Sequence, residues 1–118
     1  MKRYPGLTLR ILADGRAAIG PGKARLLEAI AQSGSISAAA REMGMSYRRA
    51  WLLVEEVNAS FAEPLVVAAA GGKRGGGAEV TAAGLEIVRR FLEMESKASA
   101  AIAADLRRFE KLLRRKPR

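Results

Sequence analysis

Hydrophobic and polar residues partly alternate over positions 7–12, a pattern typical of a short β-strand. Asp14-Gly15 follows, and Asp-Gly is a preferred pair in the two-residue turns that join antiparallel strands. Residues 17–19 supply an apolar return strand, so we expect the chain to begin with a β-hairpin. Gly20-Pro21-Gly22 then predicts the start of a first helix with one apolar face, which ends at Gly34.

Two serines mark the starts of the next two helices. Ser35 is a candidate N-cap for a short, alanine-rich helix over 36–43, and Ser46 is a candidate N-cap for a third helix from 47 to about 60. Gly44 between them permits a tight turn because glycine adopts left-handed backbone angles without strain. Apolar residues of the third helix recur at spacings of 4, 3 and 4, which is one helical face: Ala50, Val54, Val57 and Phe61. The pattern predicts a helix-turn-helix, in preference to two helices that merely pack together.

A glycine-rich hairpin follows the third helix. Pro64 ends that helix, residues 65–68 and 78–80 have the apolar character of two short strands, and the tip at 71–77 contains five glycines. A two-stranded hairpin after a helix-turn-helix is the wing of a winged helix. The expected fold class is therefore mainly α with small β-hairpins.

The last apolar pattern predicts one long helix, capped by Thr81 and running from 82 to about 113. Its apolar stripe is too long for the preceding domain to cover, and an identical helix is the simplest partner. We therefore divide the chain into a winged helix-turn-helix domain with its N-terminal hairpin, 1–81, and a dimerisation helix with a basic tail, 82–118. The expected dimer-interface residues are Ile87, Phe91, Met94, Ala98, Ile102, Leu106 and Phe109.

The residue composition and net charge exclude several classes of function. The chain has 21 Lys and Arg against 12 Asp and Glu, a formal charge of +9, and it contains neither cysteine nor histidine. Zinc fingers, disulfides and Ser-His or Cys-His nucleophiles are thereby excluded. We expect no enzyme activity, no metal and no cofactor. We find no signal peptide or membrane span, so a cytoplasmic protein without membrane contact is expected, and the charge indicates a polyanionic partner.

The candidate DNA-binding residues lie at the helix starts and at the wing tip. Arginine pairs bidentately with guanine, tyrosine can contact phosphate or bases, and glycines let the backbone of the tip approach DNA. A solvated basic turn with phosphate contacts only, and a wing tip that is simply a surface loop, are the alternatives. The expected residues are Ser35, Ser46, Tyr47, Arg48, Arg49, Lys73 and Arg74. Trp51 is expected to pack against the N-terminal hairpin or the first helix, because large aromatic side chains more often lie inside.

Two motifs carry a family resemblance. The stretch from Ser35 to Leu65 resembles the DNA-binding domain of LysR-type regulators. Met45-Ser46-Tyr47-Arg48-Arg49-Ala50-Trp51 and Gly71-Gly72-Lys73-Arg74-Gly75-Gly76-Gly77-Ala78 are more similar to the N-terminal domain of ModE-type molybdate-responsive regulators. The resemblance implies a dimeric, DNA-binding transcriptional regulator with a link to molybdenum transport or metabolism. ModE-type proteins bind molybdate in C-terminal domains for which a chain ending at Arg118 has no room, so molybdate binding here is not expected.

Sequence analysis thus favours a homodimeric, sequence-specific transcriptional regulator that binds double-stranded DNA. An architectural DNA-binding protein without sequence preference is the alternative. A protein-interaction adaptor that has lost DNA binding is a third possibility, which the retained cations of the third helix and wing disfavour.

Overall fold

The computed structural model describes residues 6–70 and 77–114, which form five helices and two antiparallel hairpins. The strands of the first hairpin are β1 (Ile11–Ala13) and β2 (Arg16–Ile19). The winged helix-turn-helix then comprises α1 (Pro21–Ser33), α2 (Ile36–Met43), α3 (Tyr47–Ser60), β3 (Val66–Ala69) and β4 (Gly77–Val80). Two further helices follow, α4 (Ala82–Ala101) and α5 (Ala103–Glu110). The predicted fold class and the order of its elements up to residue 81 are confirmed.

The turns and caps lie at the residues that the sequence indicates. Asp14 and Gly15 both have positive φ, 52° and 78°, as the two-residue turn between β1 and β2 requires. Gly34 and Gly44 end α1 and α2 in the left-handed conformation, with φ of 74° and 69°. Pro21 occupies the first turn of α1, where its missing N–H leaves no helical hydrogen bond unmade.

The core is built around α1, whose buried side chains face α2, α3, β4 and α4. The helix-turn-helix contributes mainly small residues to it: Ala39, Ala40 and Ala50 are each 2% exposed or less. Small side chains at these positions let α2 and α3 approach α1 closely. Larger side chains fill the remaining volume, and those that are fully buried are Leu26, Leu27, Ile30, Val57, Leu65 and Phe91.

The end of α3, the wing and the start of α4 meet at one junction. The Asn58 side-chain oxygen accepts hydrogen bonds from the N–H groups of Leu65 and Val66 at 2.8 and 3.1 Å, and its amide nitrogen donates to the Val66 carbonyl at 3.0 Å. The Thr81 hydroxyl donates to the Pro64 carbonyl at 2.8 Å and accepts from the N–H of Gly84 at 3.0 Å. These bonds fix the wing and α4 relative to α3.

Gly84 is needed at this junction because the backbone of the wing lies against it. A Cβ atom there would lie 2.5 Å from the Leu65 carbonyl oxygen and 2.7 Å from Val80 Cγ1. Only a residue without a side chain allows the first turn of α4 to pack this closely on the start of β3.

The predicted long helix after the wing is confirmed as α4, but its predicted extent from 82 to about 113 is wrong. Ile102 has φ −110° and ψ 15°, which ends α4 at Ala101, and α5 begins at Ala103. No proline or glycine lies near this position. The break occurs well beyond Phe91, the last buried residue of α4, where no core packing holds the helix straight.

Phe91 also differs from the prediction, which placed it in the dimer interface. Its side chain is 1% exposed and belongs to the protomer core, so it is not available to a partner helix. Beyond Phe91 the helices project from the domain, and the radius of gyration is 16.7 Å, whereas about 13–14 Å is typical of a compact chain of this length. None of the helices in the described residues is both long and apolar enough to cross a membrane.

Replacement of Asn58 by alanine tests the junction. We expect Asn58→Ala to lower the free energy of unfolding by about 2 kcal/mol, because three main-chain groups of the wing lose a part-buried partner. Urea unfolding at fixed protein concentration measures the change. Glu55→Ala, an exposed change on the same helix, is the control and should stay within about 0.5 kcal/mol of the wild type. Equal stability of the two variants would contradict this role of Asn58.

Candidate nucleic-acid interface

The first turn of α3 presents a capped, cationic surface. The Ser46 hydroxyl accepts a hydrogen bond from the Arg49 N–H at 3.0 Å, so Ser46 is the N-cap, as predicted. Tyr47 is 55% exposed, and Arg48 and Arg49 are also exposed. The partial positive charge of a helix N-terminus adds to that of the two arginines. A phosphate backbone or a base edge is the ligand that this end of α3 suits best.

The start of α2 has a similar arrangement. The Ser35 hydroxyl accepts from the Ala38 N–H at 3.0 Å and lies 3.1 Å from the Ser37 hydroxyl. Ser35 is therefore the N-cap of α2. Its hydroxyl stabilises the helix, and this structural role is independent of any contact with DNA.

The contacts that individual α3 residues make show which neighbouring element each side of the helix faces. Successive residues are rotated by about 100°, so residues four or seven apart share a side. Glu56 forms an ion pair with Lys23 of α1 at 3.1 Å, and Lys23 also donates to the Ala17 carbonyl of β2 at 2.8 Å. The Glu56 side of α3, which includes Arg49, therefore faces α1 and the N-terminal hairpin.

The opposite side of α3 faces the wing, because Asn58 lies on it and bonds the start of β3. Tyr47 and Trp51 share this side. The predicted packing of Trp51 against the N-terminal hairpin or α1 is wrong: the side chain is 43% exposed. Trp51 does not reach α1 or the N-terminal hairpin because it lies about 140° around α3 from Glu56, which is on the side that faces them.

Among the described residues, the two arginines of α3 form no ion pair. The ion pairs found among residues 6–70 and 77–114 involve Lys23, Arg89, Arg90 and Arg108, and neither Arg48 nor Arg49. The pairs of Arg89, Arg90 and Arg108 are exposed on α4 and α5, where such pairs contribute little to stability. The described residues contain no cluster of acidic side chains that could hold a metal ion.

Lys73 and Arg74, the predicted cations of the wing tip, lie outside the described residues. The strands that carry the tip are firmly attached to the domain. The Ala78 N–H donates to the Gly34 carbonyl at 2.9 Å, which ties β4 to the end of α1. A Cβ atom at Gly77 would lie 2.9 Å from the Ala69 carbonyl oxygen, so glycine lets the two strands pair closely there.

A family model confirms the resemblance that the helix-turn-helix indicates. Residues 22–85 match the model of bacterial regulatory helix-turn-helix proteins of the lysR family. The chain belongs to this family. The matched segment begins at the first turn of α1 and ends in the first turn of α4, so it includes both capped helices and the wing of this LysR-type domain.

Relatives and solved structures agree with the family. The molybdenum-pterin-binding protein MopB of Rhodobacter capsulatus is 46% identical over 107 residues, and the DNA-binding transcriptional dual regulator ModE of Escherichia coli K12 is 38% identical over 88 residues. The alignments cover 91% and 72% of this chain but only 38% and 34% of those proteins. The crystal structure of the CbnR DNA-binding domain in complex with DNA matches 71% of this chain and 94% of its own, with 26% identity and a TM-score of 0.55.

The predicted dimer surface of this LysR-type domain is only partly exposed. Met94 and Phe109 are 44% and 56% exposed, whereas Ile87, Ala98, Ile102 and Leu106 are half-buried. Two further apolar side chains of α4, Leu85 and Leu92, are absent from the predicted surface but are 54% and 41% exposed beside α1. Their spacing of seven residues is the signal that could have indicated a second apolar stripe.

Two substitutions at Ser46 separate helix capping from DNA contact. Ser46→Ala should lower the free energy of unfolding by about 1 kcal/mol, because the Arg49 N–H loses its acceptor. Ser46→Asp preserves the cap and should leave stability close to that of the wild type. Its added negative charge at the start of α3 should nevertheless weaken binding to a DNA duplex.

Thermal unfolding and DNA titration in one buffer measure both effects. Ser96→Asp, which adds the same charge to an exposed position of α4, is the control and should bind DNA as the wild type does. If Ser46→Asp also binds as the wild type does, Ser46 does not lie at the DNA surface.

Proposed function

We propose that this chain is the DNA-binding part of a homodimeric, sequence-specific transcriptional regulator. The observation that carries the proposal is the first turn of α3, where Tyr47, Arg48 and Arg49 are exposed beside a Ser46 cap. In helix-turn-helix proteins this part of the second helix meets base edges in the major groove. A binder that relied on charge alone would not need this ordered motif.

Each exposed side chain in the first turn of α3 has a defined role in the proposal. Arg48 lies on the side of α3 turned away from the core, and Arg49 lies on the side that faces α1. At least one of them reads a guanine through a bidentate contact, and Tyr47 contacts phosphate or a base. Lys73 and Arg74 of the wing tip add phosphate contacts that do not depend on sequence. The starts of α2 and α3, with Ser35 and Ser46, face the DNA backbone.

The relatives connect the proposed regulator to molybdenum. Their names include two molybdenum-pterin-binding proteins and the molybdenum transport protein ModE of Azotobacter vinelandii. We propose that the genes controlled by this chain serve molybdenum transport or metabolism. The chain spans about a third of the length of these relatives, between 33% and 38%. The proposal assigns molybdate binding to no residue of the described chain.

The proposed homodimer forms through the apolar sides of α4 and α5. Met94 is 44% exposed on the side of α4 that carries the predicted apolar stripe. Leu85 and Leu92 are 54% and 41% exposed on nearly the opposite side, about 160–180° around the helix from Met94. Each side leaves apolar area in contact with water. Burying such area against a second copy is favourable by about 25 cal/mol per Å². A twofold dimer would present two α3 helices to two half-sites of a palindromic operator.

Substitution of the arginines of α3 tests sequence-specific binding. Operator fragments are first selected from random DNA with the purified protein. Arg48→Ala or Arg49→Ala should then weaken binding to the selected DNA by about 1–3 kcal/mol and relax the preference at one base position. Lys73→Ala should weaken binding to selected and random DNA alike, and the wild-type affinity should fall steeply with salt.

Arg25→Ala is the matched control. It removes the same charge from an exposed position of α1, on a surface beside Glu28 and Glu42 that contains no residue of α3, so the base preference of this variant should equal that of the wild type. Equal losses on selected and random DNA for both arginines of α3 would instead support an architectural DNA-binding protein.

Charged residues in the apolar sides of α4 and α5 test the dimer. We expect the wild type to sediment at micromolar concentration with about twice the monomer mass of 12.6 kDa. Joint replacement of Ile102 and Leu106 by glutamate should shift the protein towards the monomer and weaken operator binding, because the two α3 helices that contact the two half-sites are then no longer held together. Lys97→Glu changes the net charge equally on the exposed polar side of α4 and is the control. A wild type found only at 12.6 kDa would refute the dimer.

A further inference from the structure

Two aromatic side chains form an exposed surface on α3 that packing within the protomer does not explain. Tyr47 and Trp51 are 55% and 43% exposed and lie four residues apart, so they share one side of the helix. The core contacts of α3 are made by other residues, Ala50, Val54 and Val57. We refer to Tyr47 and Trp51 as the aromatic flank.

The aromatic flank lies between the outer side of α3 and the wing. Asn58, seven residues after Trp51, lies on the same side and bonds the Leu65 and Val66 backbone at the start of β3. Arg48 lies about 60° around the helix from Trp51, towards the outer side, and the exposed Glu55 lies between them on the helical wheel. The rings therefore border the surface that α3 turns towards DNA.

The chemistry of this position identifies what the rings contact. The major groove presents hydrogen-bond donors and acceptors from all bases, and one apolar group, the C5-methyl of thymine. An indole ring has a single N–H donor and a large apolar face, so it suits the methyl group better than the polar base edges.

We propose that the aromatic flank is a thymine-reading element: Trp51, supported by Tyr47, packs against the C5-methyl group of a thymine in the operator. The thymine lies on the wing side of the bases that the arginines of α3 contact. The inference rests on the proposed function and adds to it a specificity-determining residue outside the arginine pair.

Removal of the methyl group alone is the sharpest test. Each thymine of the selected operator is replaced in turn by deoxyuridine, which differs from thymine only by that methyl group. For the wild type, one replacement in each half-site should weaken binding about three- to fivefold. Trp51→Ala should bind the unmodified operator at least tenfold more weakly, and the same deoxyuridine should cause no further loss, as a double-mutant cycle requires for two groups in contact.

Two further variants isolate the indole ring. Trp51→Phe preserves an apolar ring without the N–H, so it should retain most of the sensitivity to deoxyuridine. Leu12→Ala, the control, removes an exposed apolar side chain from the N-terminal hairpin. Its binding should keep the full sensitivity to deoxyuridine. One result would overturn the proposal: Trp51→Ala loses the same affinity on all DNA and keeps the wild-type sensitivity to deoxyuridine. Trp51 would then contact phosphate and not a thymine methyl group.

Fluorescence gives an independent measurement on the unmodified protein, because Trp51 is its single tryptophan. Acrylamide should quench the emission strongly in the free protein and weakly in the complex with the selected operator. Unchanged quenching on binding would also overturn the proposal, even if Trp51→Ala failed to fold.

The outcomes distinguish this inference from the function on which it rests. If selection enriches no sequence, the proposed sequence-specific function fails. A different outcome separates the two claims: a sequence is enriched, Arg48→Ala or Arg49→Ala loses the preference for that sequence, and no deoxyuridine replacement weakens binding by the wild type. In that case the proposed function stands and the thymine-reading element is wrong.

Discussion

The Asn58 side chain joins the last turn of α3 to the start of the wing through three hydrogen bonds. Thr81 closes the same junction from the other side, since its hydroxyl bonds the Pro64 carbonyl and caps α4. Gly84 then lets α4 pack directly on the backbone of Leu65. The end of α3, the start of the wing and the first turn of α4 are held against one another at this junction, and the hydrogen bond from the Ala78 N–H to the Gly34 carbonyl ties the wing to α1 as well.

The different sides of α3 make different contacts. Ala50 and Val54 face the core, Glu56 is tied to Lys23 of α1, and the wing side carries the aromatic flank. The side turned away from the core carries Arg48, which forms none of the ion pairs found in the described residues. Positive charge supplies attraction to any DNA, whereas side chains held at fixed angles around a rigid helix can distinguish bases.

In the proposed homodimer, the helices after the wing connect DNA binding to assembly. The first half of α4 is anchored by Val88 and Phe91, whereas the second half and α5 lack buried residues. The break at Ile102 lies in this unsupported part. A partner copy would give the distal apolar side chains the burial that the protomer does not provide, and it would also fix the distance between the two α3 helices.

Local signals in the sequence determined the elements: the turn at Asp14-Gly15, the caps at Ser35, Ser46 and Thr81, and the apolar period of α3. They identified the winged helix-turn-helix and its exposed arginines, because a cap, a turn or a period is encoded by residues close together in the chain. Only the tertiary structure decided the side of α3 on which Trp51 lies, the assignment of Phe91 to the core, the end of α4 at Ala101 and the bonds of Asn58. Each of these depends on which distant elements meet, and periodicity within one helix identifies an apolar face without specifying its partner.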